Sequence, residues 1–549
     1  MAHSSSPDHP SSLPSRRWLL FAFLLIVVWT LALTVSQHFS IPAEGNVRGM
    51  EPLGRFVLSF FLLSSIVLLF PRSVVLAALI ASLFFQWGTL YYHSYIGSAP
   101  EIMVLLNNVT DAAEVGDAVW TLIPWHYLLF LVPVLLLQVF LLYRHTPPPA
   151  LYRWRIKTAL CCMVAYGALL GAFFARTGQS PSMEARCARF GFLPTFTQDV
   201  VFRFTQLEKL KEQALANEAK RSFGLQSEYQ EFAFKNIVVL QVETLDNAVM
   251  DYQVNGKTVV PFLNALRESS LSYRMMARKR YCSAGADFEM LNGIPPLDGF
   301  FNYRVPDLSY NTSLPRFFSE QGYETFCFHG VRGSMFNRRT AFTAMQFDHL
   351  IFREEIVEAV RDGKYSLHGE FPEEQHAEHM NAAWLRDDVV LSTVLQEIHS
   401  PSERDRFFFV ITATSHAPFP TKHISNADKL IPNERSQQDR FLNSIHIVDR
   451  WLRSFHENLP PGTLLILYGD HSAKFQSGAF LSDFEGQHEF VPCLIHVVGE
   501  NLAQFQKIPH RSEENALSAR DVHSYIRDIT ERNAAESWRE AQTDTTNVY

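Results

Sequence analysis

Four short apolar runs in the second half of this 549-residue chain each lead into residues able to do chemistry. Asn236–Val242 (NIVVLQV) is followed by Glu243, and Leu464–Tyr468 with Gly469 by Asp470-His471. Phe407–Ile411 is followed by Thr412-Ala413-Thr414-Ser415-His416, and Thr325–Phe328 by His329, with Arg338 nine residues further on. Glu, Asp and His together form a ligand set for a borderline divalent cation, Zn²⁺ or Mn²⁺. Each alone has an ordinary explanation: a carboxylate after a strand is most often a helix N-cap, and an Asp-His pair is common by chance. Their coincidence at strand ends is what points to a site.

A nucleophile is offered by Tyr281-Cys282-Ser283-Ala284-Gly285-Ala286-Asp287-Phe288-Glu289-Met290-Leu291-Asn292. Ser283 stands where a helix begins and reads as its N-cap. The same position offers free N–H groups and the positive end of the helix to an anion. A serine hydroxyl activated there would attack and then hold the anion it has taken. Nearby Lys279 and Arg280 read as a solvated basic turn or as an attraction for anionic substrate. His488, in Gly486-Gln487-His488-Glu489-Phe490-Val491-Pro492, reads equally as a site residue or a surface histidine.

The elements that must position these residues follow from periodicity. The apolar runs, with a further one at Cys493–Val498, lack the alternation of a half-exposed strand and predict strands buried on both faces. Between them, Pro261–Ser269, Leu314–Glu320, Asp387–Glu397 and Arg440–Glu457 read as helices. Strands alternating with helices predict an α/β domain with a mostly parallel central sheet. In such sheets ligands bind beyond the carboxyl ends of the strands, where Glu243, His329, His416, Asp470 and His471 fall.

The first half is chemically different. Trp18–Val35, Phe56–Phe70, Val74–Tyr91, Leu122–Leu142 and Thr158–Phe174 are apolar runs of membrane-spanning character. Arg16/Arg17, Arg72 and the 143–157 loop (Arg144, Arg153, Arg155, Lys157) fall on one side. The 92–121 loop, with Glu101, Asp111, Glu114 and Asp117 and no Lys or Arg, falls on the other. Arg48 and Arg55 run against this bias, whose balance still favours a cytoplasmic N-terminus and an extracytoplasmic second half. The expected organisation is a disordered cytoplasmic tail (1–15), a five-helix transmembrane bundle (16–176) and a linker with an amphipathic helix (177–232). A catalytic α/β domain (233–510) and a C-terminal polar helix and tail (511–549) complete it. The whole-chain figures of 47% hydrophobic and 19% charged residues average these two halves. Six Cys in the chain exclude a small disulfide scaffold, and a net charge of −8 gives no reason to expect nucleic acid. An extracytoplasmic disulfide among Cys187, Cys282, Cys327 and Cys493 is open.

The constellation resembles the alkaline-phosphatase/sulfatase superfamily, and most closely the lipoteichoic-acid synthase-like phosphoglycerol transferases. That family has five membrane helices and an extracytoplasmic sulfatase-like domain. The resemblance implies a metal site of Glu243, Ser283, Asp470 and His471 holding one divalent ion, Mn²⁺ or Zn²⁺. It implies substrate contacts from His329, Phe336 and Arg338, in Phe336-Asn337-Arg338, and from His416, in Ser415-His416-Ala417-Pro418-Phe419. Ser283 would take phosphoglycerol from a membrane phospholipid, phosphatidylglycerol foremost, and pass it to a hydroxyl of an envelope glycan or polymer. His416 or His329 would be the general acid. The implied location is the bacterial cytoplasmic membrane. Two residues depart from the pattern: the nucleophile is Ser rather than Thr, and Phe336 stands where Trp is usual, losing an indole N–H. Phosphoethanolamine transfer on the same scaffold is the neighbouring alternative. Cys282-Ser283-Ala284-Gly285-Ala286 approaches the sulfatase formylglycine motif, but Ala286 replaces the Arg that motif requires.

Overall fold

The computed structural model describes residues 13–39, 51–96, 125–144, 151–176, 187, 190–196, 234–277, 282–296, 302–305, 308, 310–370, 375–382, 384–417, 419–422, 424–473, 484–485, 488–502 and 517–531. Lys279, Arg280, nearly all of the expected amphipathic linker helix and the tail beyond Glu531 lie outside these residues, as do the side chains of Cys282 and His488. The chain divides into two compact units, Met1–Ile102 with Leu122–Thr205 and Met103–Thr121 with Gln206–Tyr549.

In the first unit the apolar runs are helices α1 (Leu13–Phe39), α2 (Glu51–Leu69), α3 (Arg72–Ile96), α4 (His126–Arg144) and α5 (Tyr152–Arg176). Helix α1 begins at Leu13, inside the segment expected as a disordered tail. Pro71 separates α2 from α3, where a helix lacks its backbone donor. Leu25, Trp29, Leu63, Val67, Val75, Leu79 and Leu142 form the shared interior of these helices. Trp29 Nε1 donates to Ser82 Oγ at 2.9 Å, and Ser65 Oγ to the Ala159 carbonyl at 3.2 Å. Large apolar side chains also point outward, Leu129 being 80% and Val164 72% exposed. That distribution suits a hydrocarbon solvent rather than water. Four of the described helices are long and apolar enough to cross a membrane, and the apolar stretch of α2, Leu53–Leu69, is shorter.

The second unit is an α/β domain around one mixed, mostly parallel sheet. Its labelled elements are β1 (Asn236–Val242), α6 (Pro261–Glu268), β2 (Leu271–Ala277), α7 (Cys282–Asn292), α8 (Leu314–Glu320), β3 (Glu324–His329), α9 (Arg338–Ala344) and β4 (His349–Ile351). After these come α10 (Asp387–Ile398), β5 (Arg406–Ile411), α11 (Gln437–Glu457), β6 (Leu464–Gly469), β7 (His488–Val497), β8 (Leu517–Ser518) and α12 (Ala519–Thr530). The strand order is β8-β2-β7-β6-β1-β5-β3-β4, with Phe484–Glu485 paired to β7. The pairs β1–β5, β1–β6, β3–β5, β3–β4 and β2–β8 are parallel, and β7 runs antiparallel to β2 and β6. Residues 237–242 of β1 are all buried, as its lack of alternation predicts for a central strand covered on both faces.

Three elements differ from expectation. Strand β2 (LSYRMMA) reads poorly in sequence because Arg274 interrupts it; that residue is exposed and lays its guanidinium over the Phe490 ring. His329 and His488 lie within strands rather than beyond or before them. The segment after Ser512, expected as a polar helix and tail, supplies α12, whose Val522, Tyr525 and Ile526 are fully buried in the main core. Spacing of three and four residues puts these on one stripe while Arg520, Arg527 and Asp528 make the average polar. Among the described residues Cys161, Cys162, Cys187, Cys327 and Cys493 are free thiols.

Helix α12 packs against α7, the helix that carries Ser283. His523 Nδ1 donates to the Met290 carbonyl at 3.0 Å, and Arg520 pairs with Glu289 at 3.0 Å. Gly293 ends α7 at φ +67°, and a Cβ there would stand 2.5 Å from the His523 ring, so the turn admits only glycine. Burial drives the His523 pKa down to about 3. The folded state therefore holds a neutral imidazole, whereas the unfolded chain takes up a proton near pH 6.5. Stability tied to this residue is complete above about pH 6.5 and is lost as the pH falls toward 3. His523→Gln is expected to flatten the thermal-unfolding midpoint against pH between 6.5 and 4. A slope equal to that of the unsubstituted protein would disprove this origin.

Candidate active site

The register of the central strands assembles the site. Val242 of β1 is level with Gly469 of β6, so Glu243 and Asp470 leave adjacent parallel strands side by side. On the other flank Gln241 is level with Ile411 of β5, which brings Thr412 and Ser415 to the same edge. A Cβ on Gly469 would stand 2.0 Å from the Leu245 carbonyl oxygen, so only glycine lets the turn after β1 lie across the end of β6. That turn is held by Thr244, at φ +54°, whose N–H donates to Asp470 Oδ1 at 2.7 Å and whose hydroxyl donates to the Ser415 carbonyl at 2.6 Å. Ser415 Oγ in turn donates to the Glu243 carbonyl at 2.6 Å, and Glu243 N–H to Thr412 Oγ1 at 2.9 Å.

Ser283 lies in the first turn of α7 rather than at its N-cap. Its hydroxyl turns away from the helix to Glu243 Oε2 at 2.8 Å and faces His471 Nε2 at 3.2 Å. The Ser283 carbonyl accepts from Gln241 Nε2, and Tyr468 donates to Gln241 Oε1, so two side chains from β1 and β6 fix the start of α7. Carbonyl oxygens only accept, so His471 Nδ1, 3.0 Å from the Ser472 carbonyl, carries its proton and leaves Nε2 a lone pair. That nitrogen lies 3.6 Å from Glu243 Oε1 and 3.5 Å from Asp470 Oδ2.

Among the described residues those two carboxylate oxygens are buried without a hydrogen-bond donor. Glu243, Asp470, His471 and Ser283 are each at most 7% exposed. Burial, and then the Asp470 charge, raises the Glu243 carboxyl well above its usual range. Two carboxyl groups and an imidazole nitrogen thus converge on the Ser283 hydroxyl. A divalent cation fits this donor set, and the candidate ligand atoms of Glu243, Asp470 and His471 lie within 4.8 Å of one another. Adding Mn²⁺ or Zn²⁺ to metal-stripped protein is expected to raise its unfolding free energy by about 2.7 kcal/mol at a hundredfold excess over Kd. Asp470→Asn should abolish that shift. A midpoint indifferent to both ions would exclude the site.

Beside this cluster stands a second. Arg338, 2% exposed, donates through Nε to Asp287 Oδ2 at 2.8 Å and through NH1 to His329 Nε2 at 3.3 Å. Tyr303 donates to Asp287 Oδ1, and His329 Nδ1 to the Ile411 carbonyl at 3.0 Å. Burial and the adjacent guanidinium hold His329 well below the usual histidine pKa, so it is a neutral acceptor that orients Arg338. Phe336 and Asn337 both adopt left-handed backbone, at φ +58° and +61°. Such residues cost on the order of 1–3 kcal/mol each, and the Asn337 amide secures the turn through the Tyr303 carbonyl at 2.6 Å. The turn starts α9 at Arg338 and puts the guanidinium carbon 5.0 Å from the Phe336 ring centre. His416 follows β5, with Nδ1 donating to the Ala417 carbonyl and its ring edge-on to Trp384 at 4.7 Å.

Sequence reading assigned no role to Asp287, Tyr303, Gln241 or Tyr468. Asp287 had a signal: four residues after Ser283, it lies one turn on along the same face of α7.

A helix-borne serine beside three strand-end residues that could hold a metal ion, on a mostly parallel sheet, fits the α/β scaffold of the sulfatases. Residues 235–524 match the Sulfatase family, and the chain belongs to it. It is 22% identical over 311 residues to lipoteichoic acid synthase 2 of Bacillus subtilis, covering 54% of this chain and 43% of that protein. With lipoteichoic acid synthase of Staphylococcus saprophyticus it is 21% identical over 516 residues, covering 84% of this chain and 73% of that one. The solved integral membrane lipooligosaccharide phosphoethanolamine transferase A of Neisseria meningitidis shares its fold at a TM-score of 0.55. That likeness has 14% identity and spans 93% of this chain and 95% of the other.

Proposed function

We propose that the protein is a metal-dependent phosphoglycerol transferase. It moves phosphoglycerol from a membrane phospholipid, phosphatidylglycerol foremost, to a hydroxyl of an envelope glycan or polymer through a covalent Ser283 ester. The observation that carries this reading is the Ser283 hydroxyl, held between Glu243 Oε2 and His471 Nε2 at the positive end of α7. The names of two relatives, lipoteichoic acid synthases, favour an envelope polymer as the product, and the donor is the one the family resemblance implies.

Glu243, Asp470, His471 and Ser283 would hold the ion, Mn²⁺ or Zn²⁺, which when bound supplies positive charge that favours the Ser283 alkoxide and offsets phosphate charge. The Ser283 proton leaves along the hydrogen bond to Glu243 Oε2. Serine oxygen attacks phosphorus, and the bond from phosphorus to the diacylglycerol oxygen breaks. His416, its Nδ1 proton committed to the Ala417 carbonyl, gives a proton from Nε2 to that leaving oxygen. His329 does not serve as this acid, because its Nε2 accepts from Arg338. Arg338 takes the phosphate oxygens with Phe336 as the wall beside it. In the second half the acceptor oxygen attacks the serine ester while His416 takes its proton, and Ser283 regains its own from Glu243.

Helices α1–α5 form the membrane anchor in this reading, with α2 as the fifth span, the N-terminus cytoplasmic and the second unit outside the cytoplasm. The catalytic domain then extends from about residue 233 through α12. The test is the purified full-length protein with Mn²⁺ and phosphatidylglycerol or phosphatidylethanolamine labelled in the head group. Label on Ser283 with release of diacylglycerol from phosphatidylglycerol supports the proposal. Label from phosphatidylethanolamine alone makes the enzyme a phosphoethanolamine transferase, and hydrolysis without a labelled serine rejects transfer. A reporter fused after residue 176 that works only in the cytoplasm would reject the topology.

A further inference from the structure

Behind the loop that carries His416 lies a cavity of about 200 Å³ that the chemistry above does not use. Its inner wall is Ala413 and Thr414, whose N–H groups are both held by the buried Asp387 carboxylate at 2.7 and 2.9 Å. Trp384 forms a second wall and meets the His416 ring edge-on. Together with Phe336 it also packs on the small cluster of Val331, Met335 and Ala413. A molecule in the cavity is therefore one side chain away from the residues assigned to the phosphate and the leaving oxygen. Trp451 closes the cavity from α11, with the Arg386 guanidinium stacked over its ring at 4.9 Å.

The lining indicates what would bind. Two indoles, with Ile424 and Pro420, offer flat apolar surface, and no carboxylate is among the described lining residues. Lys422 stands exposed in the same lining and brings an ammonium group to it. The wall thus combines indole surface with a charged donor that takes oxygen acceptors. An acyl chain would cover the indoles but give the Lys422 ammonium no acceptor. A sugar ring presents C–H groups on its face and oxygens around its edge, and so satisfies both. The volume falls below the roughly 300 Å³ at which pockets for drug-sized ligands begin, a scale that fits one ring rather than a chain of them.

We propose that this cavity is the subsite for a single sugar ring of the hydroxyl acceptor, held between Trp384 and Trp451 beside His416. The assignment rests on the transferase reading above and names the acceptor class for it. Asp387 is a positioning residue in this arrangement: it fixes the loop that separates the sugar from the metal ligands.

The test uses full-length protein with Mn²⁺ and head-group-labelled phosphatidylglycerol, and two acceptors, a methyl hexopyranoside and glycerol. Both present hydroxyls, and only the first has a ring. The unsubstituted protein is expected to use the hexoside at a KM at least tenfold below that for glycerol. Trp451→Ala should raise the hexoside KM at least tenfold and leave glycerol transfer, diacylglycerol release and Ser283 labelling unchanged. Trp451 belongs to the core of α11, so Ile424→Trp, which fills the cavity without removing a buried side chain, is the companion variant with the same expected loss. Equal use of the two acceptors, or a hexoside KM unmoved by Ile424→Trp, overturns the subsite. A rise in the KM for phosphatidylglycerol instead gives the cavity to the donor lipid and also overturns it. Absence of any Ser283 label in the unsubstituted protein removes the transferase reading, and the subsite with it, a result distinct from all of these.

Discussion

Ser283→Ala is expected to lower donor turnover by at least about 10³-fold and to leave the fold intact. The hydroxyl makes no capping bond to α7, so the helix loses nothing by its removal. What is lost in the proposed mechanism is the atom that would form the ester, and the neighbouring histidine and carboxylates would not replace it because they would hold the ion. The measurement is diacylglycerol release together with the Mn²⁺-dependent unfolding midpoint. Activity should vanish while a metal-dependent shift remains, since Glu243, Asp470 and His471 are untouched. Full turnover in Ser283→Ala would remove the covalent mechanism, and loss of the metal shift would make Ser283 an essential ligand.

The second large effect is expected at Asp287. Its carboxylate is fully buried and holds Arg338, itself 2% exposed, through a 2.8 Å ion pair, with Tyr303 as the other partner. Burial raises the Asp287 carboxyl, and the Arg338 charge is the largest effect opposing that rise. Asp287→Ala leaves a guanidinium buried without its counter-ion, a change that costs about 3–5 kcal/mol. Chemical denaturation should show it directly. Asp287→Asn keeps the shape but not the charge. It should fold, with the donor kcat/KM lowered on the order of 10- to 100-fold, the range seen when a supporting partner of a functional group is lost. The loss should fall mainly on KM, because Arg338 binds rather than reacts. An Asp287→Asn enzyme with unchanged donor KM would mean that Arg338 is set by His329 and Phe336 alone.

The two predictions differ in how far the sequence could have led to them. Ser283 was legible because its surroundings are local: a small residue ahead of a helix-forming stretch. The candidate metal ligands were legible because a strand buried on both faces is apolar throughout, so Glu243 and Asp470 mark where β1 and β6 end. The partner of Arg338 was not legible, since 51 residues separate it from Asp287 and nothing in either segment names the other. Nor was the cavity at Trp384 and Trp451, whose walls come from α11, the loop after β5 and the segment before α10. Helix α12 was legible as a helix but its burial was not: its charged residues dominate the average, while its buried stripe appears only at a spacing of three and four residues.

The sequence by itself determined that the chain has an apolar helical part and an α/β part, and which residues stand at the strand ends, because hydrophobic periodicity is written into neighbouring residues. Tertiary structure decided which of those ends meet. The register that sets Val242 level with Gly469, and the missing Cβ at Gly469 that lets the Leu245 carbonyl close over it, bring Glu243 beside Asp470. It also decided protonation. The Ser472 carbonyl keeps the proton of His471 on Nδ1 and leaves Nε2 a lone pair for a metal. Arg338 and the Ile411 carbonyl hold His329 neutral with both ring nitrogens engaged, which sets it apart from His416, a histidine that looks the same in sequence.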